Sequence, residues 1–114
     1  MLPAEHRLRS GRLFGVVVRK GRRAGRGTVT LHLLLDAADP GPARAGLVVG
    51  KAVGGSVVRH AVSRRLRHQL QPLVPVLPLG ALLVVRAAPS AATASSADLG
   101  RDLRSGLASL GLRP

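Results

Sequence analysis

Residues 51–68 read Lys51-Ala-Val-Gly-Gly-Ser-Val-Val-Arg-His-Ala-Val-Ser-Arg-Arg-Leu-Arg-His68, a glycine-bearing turn that runs into a basic amphipathic segment. At about 100° per residue, residues 57–70 form a helix with one apolar stripe. The stripe comprises Val58, Val62, Leu66 and Leu70. The opposite side carries His60, Arg64, Arg67 and His68, with Arg59 and Arg65 on the two flanks. We therefore predict a helix that packs onto a core by one face and presents positive charge on the other.

Three apolar segments around this helix predict the strands of one small sheet. Residues 28–35 alternate between two faces, as a strand with one buried face does. Their apolar face is Val29, Leu31, Leu33 and Leu35, whereas Thr30 and His32 lie on the other. Residues 45–49 and 80–88 are almost uninterrupted apolar runs, which predicts interior strands. Proline and glycine between residues 36 and 44 predict a loop.

A further helix is predicted towards each end of the chain. Ser10 can cap the first helix, which runs to about residue 20 and ends at Gly21. Ser95 or Ser96 can cap the last one, with Asp98 favourable in its first turn. The apolar faces are Leu13, Phe14, Val17 and Val18 in the first helix and Leu99, Leu103, Leu107 and Leu110 in the last.

The predicted order is helix, strand, loop, strand, helix, strand, helix. It gives a single α+β domain over residues 1–114, a mixed α/β sandwich with a small central sheet and three helices. Arg22, Arg23 and Arg26 are predicted to form a basic turn after the first helix. One more strand would be present if residues 28–35 belong to a longer meander, and the sequence leaves this open.

The charge of the chain indicates a polyanionic partner. The sequence has 18 Lys and Arg against 5 Asp and Glu, a formal net charge of +13. No carboxylate occurs between Asp39 and Asp98 to balance the basic helix. Phe14 is the only aromatic residue, so the stacking platforms of RNA-recognition and OB folds are not available. Double-stranded or folded RNA therefore fits better than a single strand, and charge alone leaves DNA open.

Several other classes of function find no support in the sequence. Cysteine is absent, and the four histidines lack carboxylates at ligand spacing, so no metal site is predicted. The glycine turn lacks the residue order of a nucleotide P-loop, and no catalytic acid–base pair or triad is recognisable. The apolar runs are too short to span a bilayer, and the first residues do not form a secretory signal. Residues 7–26 are arginine-rich like a transit peptide, but we prefer their assignment to the first helix.

Three stretches resemble the protein subunit of bacterial ribonuclease P. Residues 2–9, with Phe14 and Arg19-Lys20-Gly21, are similar to the N-terminal helix of that family. Residues 44–51 resemble its central strand. Residues 52–67 resemble its signature, in which basic residues follow a glycine turn. The order of elements matches through to the last helix, so the resemblance covers essentially the whole chain.

This resemblance implies a ribosomal protein S5 domain 2-like fold, with a left-handed βαβ crossover at the basic helix. It implies a cytoplasmic ribonucleoprotein, an endoribonuclease that removes the 5′ leader of precursor tRNA. The implied catalytic centre lies in the partner RNA, which also holds the Mg²⁺ ions. The implied partners are the catalytic ribonuclease P RNA and precursor tRNA, with no membrane and no obligate protein partner.

The resemblance also assigns roles to individual residues. Arg59, Arg64, Arg65 and Arg67 would contact the catalytic RNA, and Lys51, His60 and His68 complete the predicted RNA-binding set. Phe14, Val18 and His32 would line a cleft for the leader, between the first helix and the sheet. The chain departs from the family pattern at His60, Ala61 and Ser63, and Val18 and His32 replace aromatic residues.

An alternative from a different class remains. The same charge would suit a non-enzymatic basic module that binds RNA or DNA, such as a ribosomal-type or nucleoid protein. Attachment to a membrane surface is less favoured, because the basic helix has no Trp or Phe to insert.

Overall fold

The computed structural model describes residues 2–35 and 41–112, which contain three helices and four strands. The helices are α1 (Gly11–Lys20), α2 (Ser56–Leu70) and α3 (Ser96–Ser109). The strands are β1 (Arg22–Arg26), β2 (Val29–Leu35), β3 (Arg44–Val48) and β4 (Ala81–Ala87). Short 3-10 helices occupy Ala4–His6, Gln71–Val76 and Pro89–Ala92. The α+β class and the three helices are confirmed.

The four strands form one mixed sheet in the order β1-β2-β4-β3. β1 pairs antiparallel with β2, and β2 pairs antiparallel with β4. β3 and β4 run parallel, so the chain between them has to cross over the sheet. Helix α2 and the 3-10 helix that follows it form this crossover. The connection therefore carries the basic helix onto the sheet.

Helices α2 and α3 cover one face of the sheet and enclose the main core. Their apolar faces pack against Leu31, Leu83 and Val85, none of which is exposed. Helix α1 covers part of the opposite face, where Val17 packs with Leu82 and Val84. This second cluster is small, so that face of the sheet is only partly covered.

Helix α2 forms because its apolar stripe matches the helical repeat. Val62, Leu66 and Leu70 are completely buried, and burial of each side chain contributes about 1.5–3 kcal/mol. Val58, in the first turn, is 37% exposed. The other two helices begin at side-chain caps. The Ser10 hydroxyl accepts a hydrogen bond from the Leu13 amide, and the Ser95 hydroxyl accepts one from the Asp98 amide.

Asp102 joins α3 to the turn between β1 and β2. Its carboxylate Oδ2 accepts hydrogen bonds from the amide of Thr28 at 3.0 Å and from the hydroxyl of Thr28 at 2.7 Å. These bonds outweigh the cost of burial and hold the pKa of Asp102 below its ordinary value of 3.8. This stabilisation is present above pH 3.8 and is lost as the carboxylate becomes protonated at lower pH.

The predicted basic turn at residues 22–26 is wrong, because these residues form strand β1. Gly27 has a φ of 24°, which lets the chain turn back at once and pair β1 with β2. Ala24 packs into the core, while Arg22 and Arg23 are exposed at the sheet edge. The arginines made this segment resemble a polar turn in the sequence. Charged side chains are, however, common on edge strands, where they prevent pairing with another chain. The additional strand that the sequence left open is therefore β1.

The predicted interior position of residues 45–49 is also wrong, because β3 lies at an edge of the sheet. Its apolar character reflects burial of its faces, since Ala45 and Gly46 are both buried. Part of its outer edge is paired with the N-terminal segment, where the Leu8 amide donates to the Ala45 carbonyl at 3.0 Å. Leu35 was expected in the core but is 58% exposed as the last residue of β2. The centre of the predicted loop, residues 36–40, lies outside the described residues.

Candidate RNA interface

The glycine turn before α2 leaves the helix N-terminus open to an anion. Gly54 has a φ of 155°, and a side chain there would meet Val58 at 2.9 Å, so glycine is required. Gly55 is the N-cap, and among the described residues no side chain caps this helix. The first turn of α2 contains no acidic residue, and Lys51 is exposed in the glycine turn that precedes the helix. The amides and the helix dipole therefore favour a phosphate at this point.

The predicted RNA-binding residues divide into two groups by exposure. Lys51, His60, Arg64 and His68 are exposed, and Arg64 and His68 lie on the side of α2 that faces away from the core. Arg59, Arg65 and Arg67 are half-buried at the borders of that surface. Arg59 Nε and Arg65 Nη1 are buried, and neither has a hydrogen-bond partner in the described part of the chain. The exposed group is thus free to meet phosphates, and the half-buried group borders it.

Arg67 connects the basic helix with a cavity beside β3. The cavity has a volume of about 320 Å³, and Arg67 and Ser63 line it together with Phe14, Gly46 and Arg9. Arg67 was predicted on the outer side of α2, but it lies on the flank that faces β3 and the N-terminal segment. The cavity combines one aromatic ring with three arginines, Arg7, Arg9 and Arg67, a composition that suits a nucleotide.

Phe14 is held in place by direct contact with the backbone of β3. A Cβ atom added at Gly46 would lie 2.2 Å from Phe14 Cζ, so the ring occupies the space that any side chain would need. Phe14 also packs with the Val17 and Val84 cluster beneath α1, as does Val18. The position of α1 on the sheet therefore depends on glycine at position 46.

We expect Gly46→Ala to destabilise the protein by about 1–3 kcal/mol, because the added methyl group forces Phe14 out of its site. Urea unfolding measures this change. Gly25→Ala is the matched control, since glycine 25 is also in a strand but a Cβ there meets nothing within 4 Å. Equal stability of the two variants would show that Phe14 does not depend on this contact.

Beside α1, part of the sheet is left uncovered. Strand register places Arg23, His32, Val84 and Gly46 in one row across the sheet, and Gly25, Thr30, Arg86 and Val48 in the next. Helix α1 covers the first row at Val84 and Gly46. Arg23, Gly25 and Arg86 are exposed, and Val48 is 37% exposed. We call the surface formed by Arg23, Gly25, Thr30, Arg86 and Val48 the open sheet face.

His32 lies beneath the edge of the open sheet face. It is only 4% exposed, and neither ring nitrogen has a hydrogen-bond partner among the described residues. Burial, together with the positive charges of Arg86 and Arg23, holds the pKa of His32 below its ordinary value of 6.5. The ring is therefore neutral at pH 7 and is not itself open to a ligand, although it was predicted to line the cleft with Phe14 and Val18.

We expect His32→Leu to raise stability at pH 7 by about 1 kcal/mol, because it removes two buried polar atoms without partners. Since the pKa of His32 is lowered by folding, the unfolded chain binds the proton more readily than the folded one. Wild-type stability should therefore fall as the pH drops below 6.5, and the gap to the variant should widen. Thermal unfolding between pH 8 and pH 5 measures both effects. Asp102 stays ionised throughout this range, so its titration does not contribute. Parallel curves for the two proteins would contradict this account of His32.

The two carboxylates of α3 are engaged in contacts of their own. Asp98 forms an ion pair with Arg101 at 3.2 Å, and Asp102 is bonded to Thr28. The described residues contain no group of three His, Cys, Asp or Glu side chains that could hold a metal ion. None of the helices within residues 2–35 and 41–112 has the length and apolar character needed to span a membrane.

Two residues of the surface were missed by reasoning from the sequence. Arg23 was assigned to a turn, and Arg86 was not singled out. The strand period contained a signal for Arg86, because it lies two positions after Val84 and so shares its face of the sheet. Its pairing with Thr30 depends on strand order, which the sequence does not specify.

The chain is similar to known ribonuclease P proteins in both sequence and fold. A family model described as Ribonuclease P matches residues 2–111. The ribonuclease P protein component of a Nocardioides species is 54% identical over 104 residues, covering 90% of this chain and 89% of that protein. The component of Streptomyces avermitilis is 51% identical over 114 residues, covering 94% and 93%.

Solved structures extend the likeness to the fold. The Staphylococcus aureus RNase P protein superimposes with a TM-score of 0.83 at 17% identity, covering 96% of this chain and 98% of that one. The Thermotoga maritima RNase P protein gives a TM-score of 0.71 at 21% identity, covering 85% and 90%. At these identities the structures show a shared fold and no more.

Proposed function

The chain belongs to the bacterial ribonuclease P protein family, and from this membership we propose that it binds the catalytic ribonuclease P RNA and the 5′ leader of precursor tRNA. Ribonuclease P is an endoribonuclease, and the chain is its RNA-binding protein component, with a role in tRNA processing. The basic surface of α2 and the surface beside α1 supply two contact regions for these two partners.

The exposed side of α2 is the observation that supports RNA binding best. A fully buried stripe fixes the helix to the core, so Arg64, His60 and His68 are presented on a rigid support. Arginine or lysine bound to phosphates releases condensed counterions, which gives strong and salt-dependent binding. The open N-terminus of α2 and Lys51 add a fixed phosphate site at one end of this surface. We assign the catalytic RNA to this surface.

The leader is assigned to the other side of the molecule, where α1 crosses the sheet. The cavity lined by Phe14, Arg9 and Arg67 lies between α1 and α2 and can accommodate one nucleotide. It adjoins the region where the first row of the sheet passes beneath α1. The two assigned surfaces meet at Arg67, so one chain can hold its RNA partner and the leader together.

The catalytic centre is proposed to lie in the RNA, together with the Mg²⁺ ions. The described residues bring no three His, Cys, Asp or Glu side chains together for a magnesium cage, and Asp98 and Asp102 are committed to Arg101 and Thr28. Mg²⁺ prefers oxygen ligands in near-octahedral arrangement and is often held through phosphates. The chain's own residues then neutralise phosphates and position the leader, and the proposed place of action is the cytoplasm, where precursor tRNA is made in bacteria.

Reconstitution tests this function. The purified chain is combined with a bacterial ribonuclease P RNA, and precursor tRNA cleavage is measured at a magnesium concentration where the RNA alone is slow. We expect the chain to accelerate release of the leader at its mature 5′ junction. A chain that binds the RNA but leaves the cleavage rate unchanged would instead be a basic RNA-binding module without this function.

A further inference from the structure

The N-terminal segment crosses the outer edge of β3 and packs on both faces of the sheet. Leu2, at its start, is buried in the main core that α2 and α3 enclose, and Leu8, near its end, is buried in the cluster beneath α1. Each of these two side chains is only 5% exposed. We call residues 2–9 the strap, because they join the helix layer of α2 to the layer of α1 around the sheet edge.

Hydrogen bonds hold the strap between its two buried ends. Nδ1 of His6 lies 2.7 Å from the carbonyl oxygen of Ala43, just before β3, and the amide of Leu8 donates to the backbone of β3 at 3.0 Å. Within the strap, Nε of Arg7 donates to the carbonyl of Leu2 at 2.7 Å. The strap is therefore a fixed connection between the two layers.

The strap and α2 face each other across the cavity beside β3. Ser63 and Arg67 of α2 line this cavity, and Arg67 borders the surface that we assign to the catalytic RNA. The strap residues that line the same cavity are Leu2, Arg7, Leu8 and Arg9. The start of the strap is thus placed directly beside the basic helix.

The other end of the strap determines where α1 begins. Leu8 is separated by one residue from Ser10, whose hydroxyl caps α1. The side chain of Leu8 packs with Val17 of α1 and with Val84 of β4. Because the cap follows so closely, a shift of Leu8 has to move the first turn of α1. The helix would then change its position on the sheet, and the ring of Phe14 would move with it.

We propose that the strap aligns α1 with α2, and that Leu2 and Leu8 are its positioning residues. Leu2 fixes the strap to the helix layer that carries the basic surface, and Leu8 fixes α1 to the strap. The two contact surfaces of the chain are then held at a defined distance from each other. This role rests on the proposed function and specifies how its two surfaces are kept in register.

The distance between α1 and α2 tests this role directly. The sequence contains no cysteine, so Arg12→Cys and Val57→Cys introduce one labelling site on the exposed side of each helix. Nitroxide labels at these sites report the distribution of distances in the free protein by double electron–electron resonance. We expect a narrow distribution for the otherwise wild-type chain and a clearly broader one after Leu2→Ala. Since no RNA is present, a lost contact between Leu2 and a nucleotide cannot cause this change.

The reconstituted particle provides the functional readout. The preference for precursor over mature tRNA should fall by about fivefold in Leu2→Ala, as expected when a coupling between two sites is lost. The affinity of the protein for ribonuclease P RNA should stay within about twofold of wild type, because Leu2 lies outside the basic surface of α2. Leu2→Met fills a similar volume and should restore the preference.

Two controls separate positioning from stability. Leu110→Ala removes a buried core leucine at the end of α3, so it lowers stability without touching the strap. Leu79→Ala makes the same chemical change at a leucine that is 74% exposed. Both should keep the narrow distribution and the wild-type preference. If circular dichroism shows that Leu2→Ala does not fold, His6→Ala takes its place, since it removes the bond to Ala43 and keeps both strap leucines.

Three results would overturn the role of the strap. A distribution for Leu2→Ala as narrow as that of wild type would show that the strap does not position α1. A broad distribution with an unchanged preference, or an equal loss of preference in Leu110→Ala, would show that the alignment has no part in recognition. If wild type itself shows no preference for precursor, the proposed function fails and the alignment role fails with it. The two kinds of failure are distinguishable, because the distances are measured without RNA.

Discussion

Val62→Asp is expected to abolish folding. Val62 is completely buried in the middle of the α2 stripe, where it packs between the sheet and α3. The substitution places a carboxylate among apolar side chains with no cation to pair with it, which costs about 3–5 kcal/mol. Loss of the valine packing adds about 1–2 kcal/mol. Because small domains are stable by only about 5–15 kcal/mol, circular dichroism should show an unfolded chain at 25 °C.

Val57→Asp is the matched control for this prediction. Val57 precedes the stripe on the same helix and is 82% exposed, so a carboxylate there stays in water. It also lies in the first turn, where a negative charge is favourable to the helix dipole. The control should keep the wild-type midpoint of thermal unfolding within a few degrees. A folded Val62→Asp protein would show that α2 is not fixed to the core as described.

Arg64→Ala combined with Arg67→Ala should weaken binding to ribonuclease P RNA by about 10–100-fold at physiological salt, because hydrogen bonds to charged phosphates are among the strongest in RNA contacts. Arg64 is exposed on the outer side of α2, and Arg67 borders the cavity beside Phe14. The salt slope should become shallower by about 1 for each phosphate contact removed. Filter binding across a salt series measures both quantities.

The fold of this double variant should be unchanged, since neither side chain belongs to the buried stripe. Arg101→Ala/Arg104→Ala provides a charge-matched control on α3, and it should stay within about threefold of wild type. Equal losses in both variants would mean that binding follows total charge. Unchanged affinity after removal of Arg64 and Arg67 would move the RNA contact away from α2.

Much of the fold was predictable where a residue pattern is compatible with only one local structure. The stripe of α2 and the leucines of α3 have the helical period, and Ser10 and Ser95 are caps that the structure confirms. The run at β4 is apolar because residues 81–85 are buried on both faces of the sheet. Each of these features is decided within a few residues, so local chemistry is sufficient.

The predictions for β1 and β3 were wrong because the structure of these segments depends on pairing with strands that are distant in the sequence. Strand β1 is basic because it is an edge strand, and only its register with β2 reveals Ala24 as a core residue. The position of β3 at an edge depends on insertion of β4 beside β2, which no local pattern encodes. The same long-range register places Arg23 and Arg86 on either side of the strand that carries His32. For this reason the exposed residues of α2 were foreseen and the open sheet face was not.

The central claim is that this chain links ribonuclease P RNA to the leader of precursor tRNA. It is tested most directly by comparing the affinities of precursor and mature tRNA, once for the RNA alone and once for the particle reconstituted with the chain. The account predicts that the chain raises the preference for precursor by at least about tenfold, because the leader gains phosphate contacts that the RNA alone does not offer. An identical preference with and without the chain would contradict it.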